Sequence, residues 1–283
     1  MKPQKALHLF IEEEKKKPKY KNHNYMVFEK YDGWYGYYDS GETIRSRSMR
    51  HIPSVEHLGE MLAGKLKRHG RLIFEILIDG VTEFPILNGM LNRTVGDYSC
   101  KDAYLVAHDF IPLGHSGLPF KERYIALADI LCEINHPKLM IADYITISDD
   151  INEWKSCAEE IWSNKGEGVI LKRLDAPYSP DKRNFDLMKI KEEIDLDLLV
   201  VGYELGEGKY EGVIGSLICK DSKGIEHSVS GMTDSERFNW TDNFCDIDGK
   251  VIRVKAMKVL PNGKLREARF IAVRYDKSEK DID

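Results

Sequence analysis

The sequence predicts an α+β protein: a large domain of antiparallel sheets with flanking helices over residues 1–192, followed by a small all-β barrel over 193–283. Three observations predict it. Apolar, strand-like runs at residues 25–28, 72–78, 105–110 and 187–191 are interspersed with segments of helical period. Glu192-Glu193-Ile194-Asp195 is an abrupt change in charge that reads as a domain boundary. Beyond it, short strands separated by turns follow one another at the spacing of a small barrel.

Residues 4–17 read as a short amphipathic helix ending in Lys15-Lys16-Lys17 and stopped by Pro18. The lysine-rich stretch to Lys21 is either a phosphate contact or a solvated charge run. Tyr25-Met26-Val27-Phe28 is a buried strand that ends at Lys30; Asp32-Gly33 is a tight turn, and aromatics follow as a second strand. A lysine at the mouth of a buried strand needs a partner or a task. Its amine is a nucleophile only without its proton, a state that desolvation and neighbouring cations favour.

Asp39-Ser40-Gly41-Glu42 is a hairpin turn, and residues 43–49 return as a strand with Ile44, Ser46 and Ser48 on one face and Arg45 and Arg47 on the other. Residues 55–70 read as a helix and 71–80 as a strand. Glu75 sits in the middle of that strand's apolar run, where a carboxylate requires a cation or a donor. Residues 84–93 read as an irregular connection closing over the site, 104–111 as another strand, and 121–135 and 148–163 as helices. In Gly166-Glu167-Gly168 the flanking glycines let backbone approach a ligand closely, and Glu167 stands where an apolar strand begins. After a loop at residues 178–183, Lys189 and Lys191 share one face of a strand. Two adjacent ammonium groups repel unless an anion lies between them, and a phosphate is the natural occupant. The later strands are placed at residues 198–201, 214–219, 251–259 and 269–275. The glycine-rich hairpin at 206–209 is not a Walker loop, because Tyr210 stands where Ser or Thr would bind Mg²⁺.

Bulk properties exclude several classes. Apolar and charged fractions of 42% and 31% are those of a soluble globular protein, and the net charge of -5 argues against a non-specific coat on nucleic acid. Five scattered cysteines without a C-x-x-C pair, and nine histidines without H-E-x-x-H, fit neither a disulfide framework nor structural zinc. No apolar run approaches a membrane span and no signal-peptide core is present, so a cytoplasmic monomer away from membranes is expected.

Lys30-Tyr31-Asp32-Gly33 resembles the nucleotidyl-acceptor motif of ATP-dependent DNA ligases, a group related to RNA ligases and mRNA-capping guanylyltransferases. Further matches follow in order: Ser46-Arg47-Ser48, Glu75, the strand around Asp109, Glu167-Gly168-Val169-Ile170-Leu171-Lys172, Lys189-Ile190-Lys191, and Lys264-Leu265-Arg266-Glu267-Ala268-Arg269-Phe270 before Arg274-Tyr275-Asp276-Lys277. The resemblance implies a nucleotidyltransferase (adenylation) domain followed by an OB-fold domain, acting on nicked duplex DNA with ATP and Mg²⁺ or Mn²⁺. It implies Lys30 as the residue that takes AMP, and Arg47 on the 5′-phosphate at the nick. Glu75 and Glu167 would contact ribose or metal. His108, or less directly Phe110, would lie against the purine, with Val169 lining the base pocket. Lys189 and Lys191 would bind phosphate, and Arg274, Asp276 and Lys277 would orient pyrophosphate. Two positions depart from the pattern: Tyr35 stands where arginine is usual, and Phe28 where glutamate often reads the adenine amino group. The competing expectations are an RNA ligase or GTP-using capping enzyme and, in a different class, a non-catalytic OB-fold nucleic-acid-binding protein.

Overall fold

The computed structural model describes residues 2–9, 13, 17–66, 70–94, 99–260 and 262–283. The chain divides into two compact units, Met1–Lys191 and Glu192–Asp283. The first unit contains two five-stranded sheets. One joins β1 (Lys5–His8), β2 (Tyr25–Glu29), β8 (Tyr144–Ser148), β9 (Gly168–Arg173) and β10 (Arg183–Lys191) in the order β1-β10-β9-β2-β8. The other joins β3 (Trp34–Asp39), β4 (Ile44–Ser46), β5 (Gly70–Ile78), β6 (Ala103–Pro112) and β7 (Leu139–Ile141) in the order β4-β3-β5-β6-β7.

Each sheet buries one face under helices and turns the other towards its partner sheet. Helices α1 (Glu56–Lys65), α2 (Phe84–Leu91) and α3 (Phe120–Ile134) cover the second sheet. Their Leu58, Leu62, Leu87, Leu91 and Leu127 pack on Tyr38, Leu72, Phe74 and Ile76. Helix α4 (Ile151–Ser163) covers the first sheet, packing Trp154 and Ala158 on Tyr25, Val27, Val169 and Leu171. The alternate residues of β2, β3, β5 and β9 therefore face the gap between the sheets.

Several expectations are corrected. Residues 5–8 form strand β1, parallel to β10 with Lys5 beside Arg183 and His8 beside Lys189, not the start of a helix. Leu9 and Glu13 are helical, so the expected helix follows the strand instead of including residues 5–8; residues 10–12 and 14–16 lie outside the described residues. Residues 84–91 are helix α2, held by Leu87 and Leu91 in the core, and none of them borders the gap between the sheets. The second strand expected after Asp32-Gly33 is present as β3, in the other sheet from β2, so the chain crosses between sheets at that point.

The second unit is a five-stranded antiparallel sheet of β11 (Ile194–Leu205), β12 (Ile214–Lys220), β13 (Glu226–Val229), β14 (Val251–Ala256) and β17 (Arg269–Val273), ordered β13-β12-β11-β14-β17. A two-stranded pair, β15 (Lys258–Val259) with β16 (Leu265–Arg266), and helix α5 (Asp234–Asp242) complete it. Leu198, Leu217, Val229, Trp240 and Val254 form its core. The sheet curls without closing as a ladder; beyond the ends of β13 its far edge meets β17 through a single bridge, Ser230 to Arg269. The expected barrel is thus an open one. Helix α5 was not anticipated, although its capping box, Thr233 with Glu236, is written in the sequence.

Candidate active site

Within the first unit the facing sheets enclose a cleft. One wall is Phe28, Lys30, Ile170, Lys172, Lys189 and Lys191; the other is Tyr35, Arg47, Ile73, Glu75 and His108. Strand register produces the first wall. Phe28 pairs with Ile170 and Ile170 with Lys189, so these three form one row across β2, β9 and β10. The next row holds the Lys30 amide, which donates to the Gly168 carbonyl at 2.8 Å, and Lys191 opposite Gly168. Gly168 has φ +136°, and a Cβ there would fall 2.1 Å from the Ile190 carbonyl oxygen, so only glycine fits. Gly33 is needed for a similar reason: its Cβ would lie 2.9 Å from that of Glu75 as β3 enters alongside β5.

At the centre, Glu167 bridges two lysines. Its side chain is 5% exposed, with Oε2 accepting from Lys30 Nζ at 2.5 Å and Oε1 2.7 Å from Lys191 Nζ. The anion drawn in by this cationic strand end is therefore a carboxylate of the protein itself. Trp162 Nε1 donates to the Glu167 carbonyl at 3.2 Å and anchors the loop that carries it. Across the cleft, Glu75 makes no hydrogen bond or ion pair among the described residues. Burial pushes its carboxyl up to about 7, with Glu167 reinforcing the shift and Lys30 and Arg47 opposing it.

His108 enters the cleft through a β-bulge. Ile73 pairs with Asp109 and Phe74 with Ala107, which leaves His108 as the extra residue of β6. The bulge turns both His108 and Asp109 towards the cleft, where strict alternation would admit only one. Phe110 falls in the core under α3 and does not line the cleft. Burial and the Lys172 ammonium hold His108 well below the ordinary imidazole range, so it is neutral. Lys172 Nζ lies 3.0 Å from His108 Nδ1 and donates to its backbone carbonyl at 2.6 Å. A neutral ring accepting at Nδ1 carries its hydrogen on Nε2. Burial and Arg123 bring Lys172 itself down to about 8, against the pull of Asp109. Burial would raise Asp109, but Arg123 binds it through two N–H groups at 2.9 and 3.1 Å and holds it below the usual range.

Lys172, Asp109 and Arg123 were assigned no role from sequence. The available signal was the one that marked Glu75: a charge inside an apolar run needs an opposite charge. Val169, expected in the base pocket, is instead fully buried beneath α4. Pairing of Val27 with Leu171 and of Phe28 with Ile170 sets the phase of β9, so Ile170 and Lys172 face the cleft. Phe28 lies in the cleft wall, edge-on to Phe120 and Tyr124. Tyr35 is beside Glu75 in the β3–β5 ladder, and the Arg47 guanidinium lies over its ring at 4.9 Å.

Arg274, Asp276 and Lys277 belong to the second unit, where they form a cluster with Asp197. Arg274 donates to both Asp276 oxygens at 2.9 and 2.7 Å and to Asp197 at 3.1 Å, and Lys277 Nζ is 2.6 Å from Asp197. The Arg274 hydrogen bonds hold Asp276 down to about 2.

No cluster of three or more His, Cys, Asp or Glu side chains forms a metal centre among the described residues. Glu75 nevertheless suits a hard cation that keeps its waters and substrate oxygens, since its carboxyl is otherwise unpaired. Glu167 is already committed to two ammonium groups. No described helix is long and apolar enough to cross a membrane.

The fold is shared with solved DNA ligases. A structure of a Lig E DNA ligase, studied as DNA binding with a minimal scaffold, aligns with TM-score 0.78 over 97% of this chain and 99% of that one, at 23% identity. The ATP-dependent DNA ligase of bacteriophage T7, in complex with ATP, aligns with TM-score 0.51 over 89% of this chain and 93% of that one, at 19% identity. The model of the ATP dependent DNA ligase domain matches residues 14–191, and that of the DNA ligase OB-like domain residues 205–274. The chain belongs to the ATP-dependent DNA ligase family. The DNA ligase of Methanocorpusculum labreanum is 31% identical over 191 residues, 59% of this chain and 34% of that protein. That of Archaeoglobus fulgidus is 30% identical over 209 residues, 63% and 37%. The chain thus spans about a third of the length of these curated relatives.

Proposed function

We propose that this chain, acting as a monomer, seals 3′-hydroxyl/5′-phosphate nicks in duplex DNA with ATP through a lysine–AMP intermediate. The observation that carries the reading is the convergence of Lys30, Glu167, Lys191 and Glu75, from four distant segments, on one cleft. In the first step Lys30 Nζ attacks the α-phosphorus of ATP; a P–N bond forms, the bond to the leaving oxygen breaks, and pyrophosphate departs. Glu167, hydrogen-bonded to that nitrogen, is suited to hold the proton the amine must lose. Lys189 and Lys191 balance phosphate charge, and Arg274, Asp276 and Lys277 of the second unit orient pyrophosphate. Ile170, Phe28 and His108 wall the purine. Mg²⁺ or Mn²⁺, held by Glu75 with phosphate oxygens, would supply charge neutralisation at the α-phosphate.

In the second step the 5′-phosphate at the nick, bound by Arg47, displaces the lysine from AMP. In the third the 3′-hydroxyl attacks that activated phosphate and AMP leaves. Covalent storage divides one hard condensation into successive displacements. In this reading residues 1–192 are the adenylation domain and 193–283 the OB domain. After any bound AMP is stripped, incubation with ATP and Mg²⁺ should add one AMP to the wild-type mass and none to Lys30→Ala. The adduct should then join nicked DNA. A wild type that stays unmodified refutes the proposal; joining only RNA, or labelling only by GTP, moves it to the neighbouring families.

A further inference from the structure

Arg47 differs from Lys30, Lys191 and Arg123 in what holds it. Lys30 and Lys191 are bound by Glu167, and Arg123 by Asp109. Arg47 makes no hydrogen bond or ion pair among the described residues; its guanidinium lies over the face of Tyr35, 4.9 Å from the ring centroid. The neighbouring Arg45 is tied to Glu42. Tyr35 is 8% exposed and fixed among Tyr37, Ile73, Ile111 and Tyr178. A carboxylate partner would occupy the guanidinium's N–H groups and compete with a phosphate for them. An aromatic face orients the planar group by its quadrupole while leaving every donor available.

We propose that Tyr35 is a positioning residue for Arg47, its ring presenting the guanidinium edge-outward to the 5′-phosphate of the nick. This rests on the ligase reading and explains how the chain works with an aromatic ring where arginine is usual. Tyr35→Phe keeps the ring face and should behave as wild type. Tyr35→Leu should raise KM for nicked DNA about fivefold with kcat little changed, the worth of one cation–π contact. Intact mass should still show the Lys30 adduct in Tyr35→Leu, which separates a defect in nick binding from loss of the lysine–AMP step. In an Arg47→Ala background Tyr35→Leu should have no further effect, because the two residues act as one unit. Should Tyr35→Leu fold poorly, a difluorinated phenylalanine at position 35 keeps the shape, weakens the ring's negative face, and should raise KM in the same way. Normal adenylylation together with an unchanged KM, or an equal penalty with and without Arg47, overturns the assignment of Tyr35 alone. Absence of the Lys30 adduct in wild type overturns the ligase reading and this inference with it.

Discussion

Glu75 offers a test of the cleft that needs no substrate. Its carboxyl rises from an ordinary 4.5 to about 7 because burial outweighs the pull of Lys30 and Arg47, and Glu167 adds to the rise. Since the folded-state value lies above the unfolded one, the group's contribution is fully present below about pH 4.5 and is lost as pH rises through about 7. A separation near 2.5 units, the difference between those two values, corresponds to about 3 kcal/mol at roughly 1.4 kcal/mol per unit. About 2 kcal/mol of it should be gone by pH 6. Glu75→Gln is neutral in both states and should lack this loss. The measurement is urea unfolding at a series of pH values, followed by tryptophan fluorescence; Trp34, Trp154 and Trp162 of the four tryptophans report on the first unit. The difference between variant and wild type should grow in favour of the variant from pH 4.5 to 8, and millimolar Mg²⁺ should shrink it by favouring the ionised form. Parallel curves across that window would refute the argument that Glu75 is held in a poorly solvated, incompletely paired position.

Two further outcomes are expected. Ile170→Ala should raise the apparent KM for ATP in adenylylation about fivefold at small cost in stability, whereas Val169→Ala should lower stability by on the order of 2 kcal/mol and leave that KM unchanged. The converse pattern in kinetics and melting would place β9 in the opposite phase. Arg123→Met should lower stability by about 4 kcal/mol, roughly 10 °C in melting temperature, because it strands Asp109 and Lys172 without their main counter-ion; a change below about 1 kcal/mol would contradict a buried pair of this kind.

The chemistry of the cleft was more legible in the sequence than its shape. Lys30, Glu75, Glu167 and the Lys189/Lys191 pair each stand out because a charge in an apolar setting demands an explanation, and each does border or adjoin the cleft. The phase of β9 was not legible. Val169, Ile170 and Leu171 are all apolar, and only pairing with β2 decides which of them faces the cleft. The bulge at His108 was likewise hidden, since an extra residue is defined by the partner strand and leaves no mark on β6. Strand β1 was missed because four residues are too few to show a period of 2 and the segment beyond it is helical at Leu9 and Glu13. The division of labour between β2 and β3 could not be seen either: a turn between two strands looks the same in sequence whether it closes a hairpin or passes between sheets.

That passage between sheets has a mechanical consequence. From Lys30 to Trp34 the chain takes four peptide steps, which reach at most roughly 13–14 Å when fully drawn out. The two walls are thus tethered beside the amine, and tethered again one strand over by the three peptide steps from Ile141 of β7 to Tyr144 of β8. Two such short links limit how far the walls can separate around Lys30.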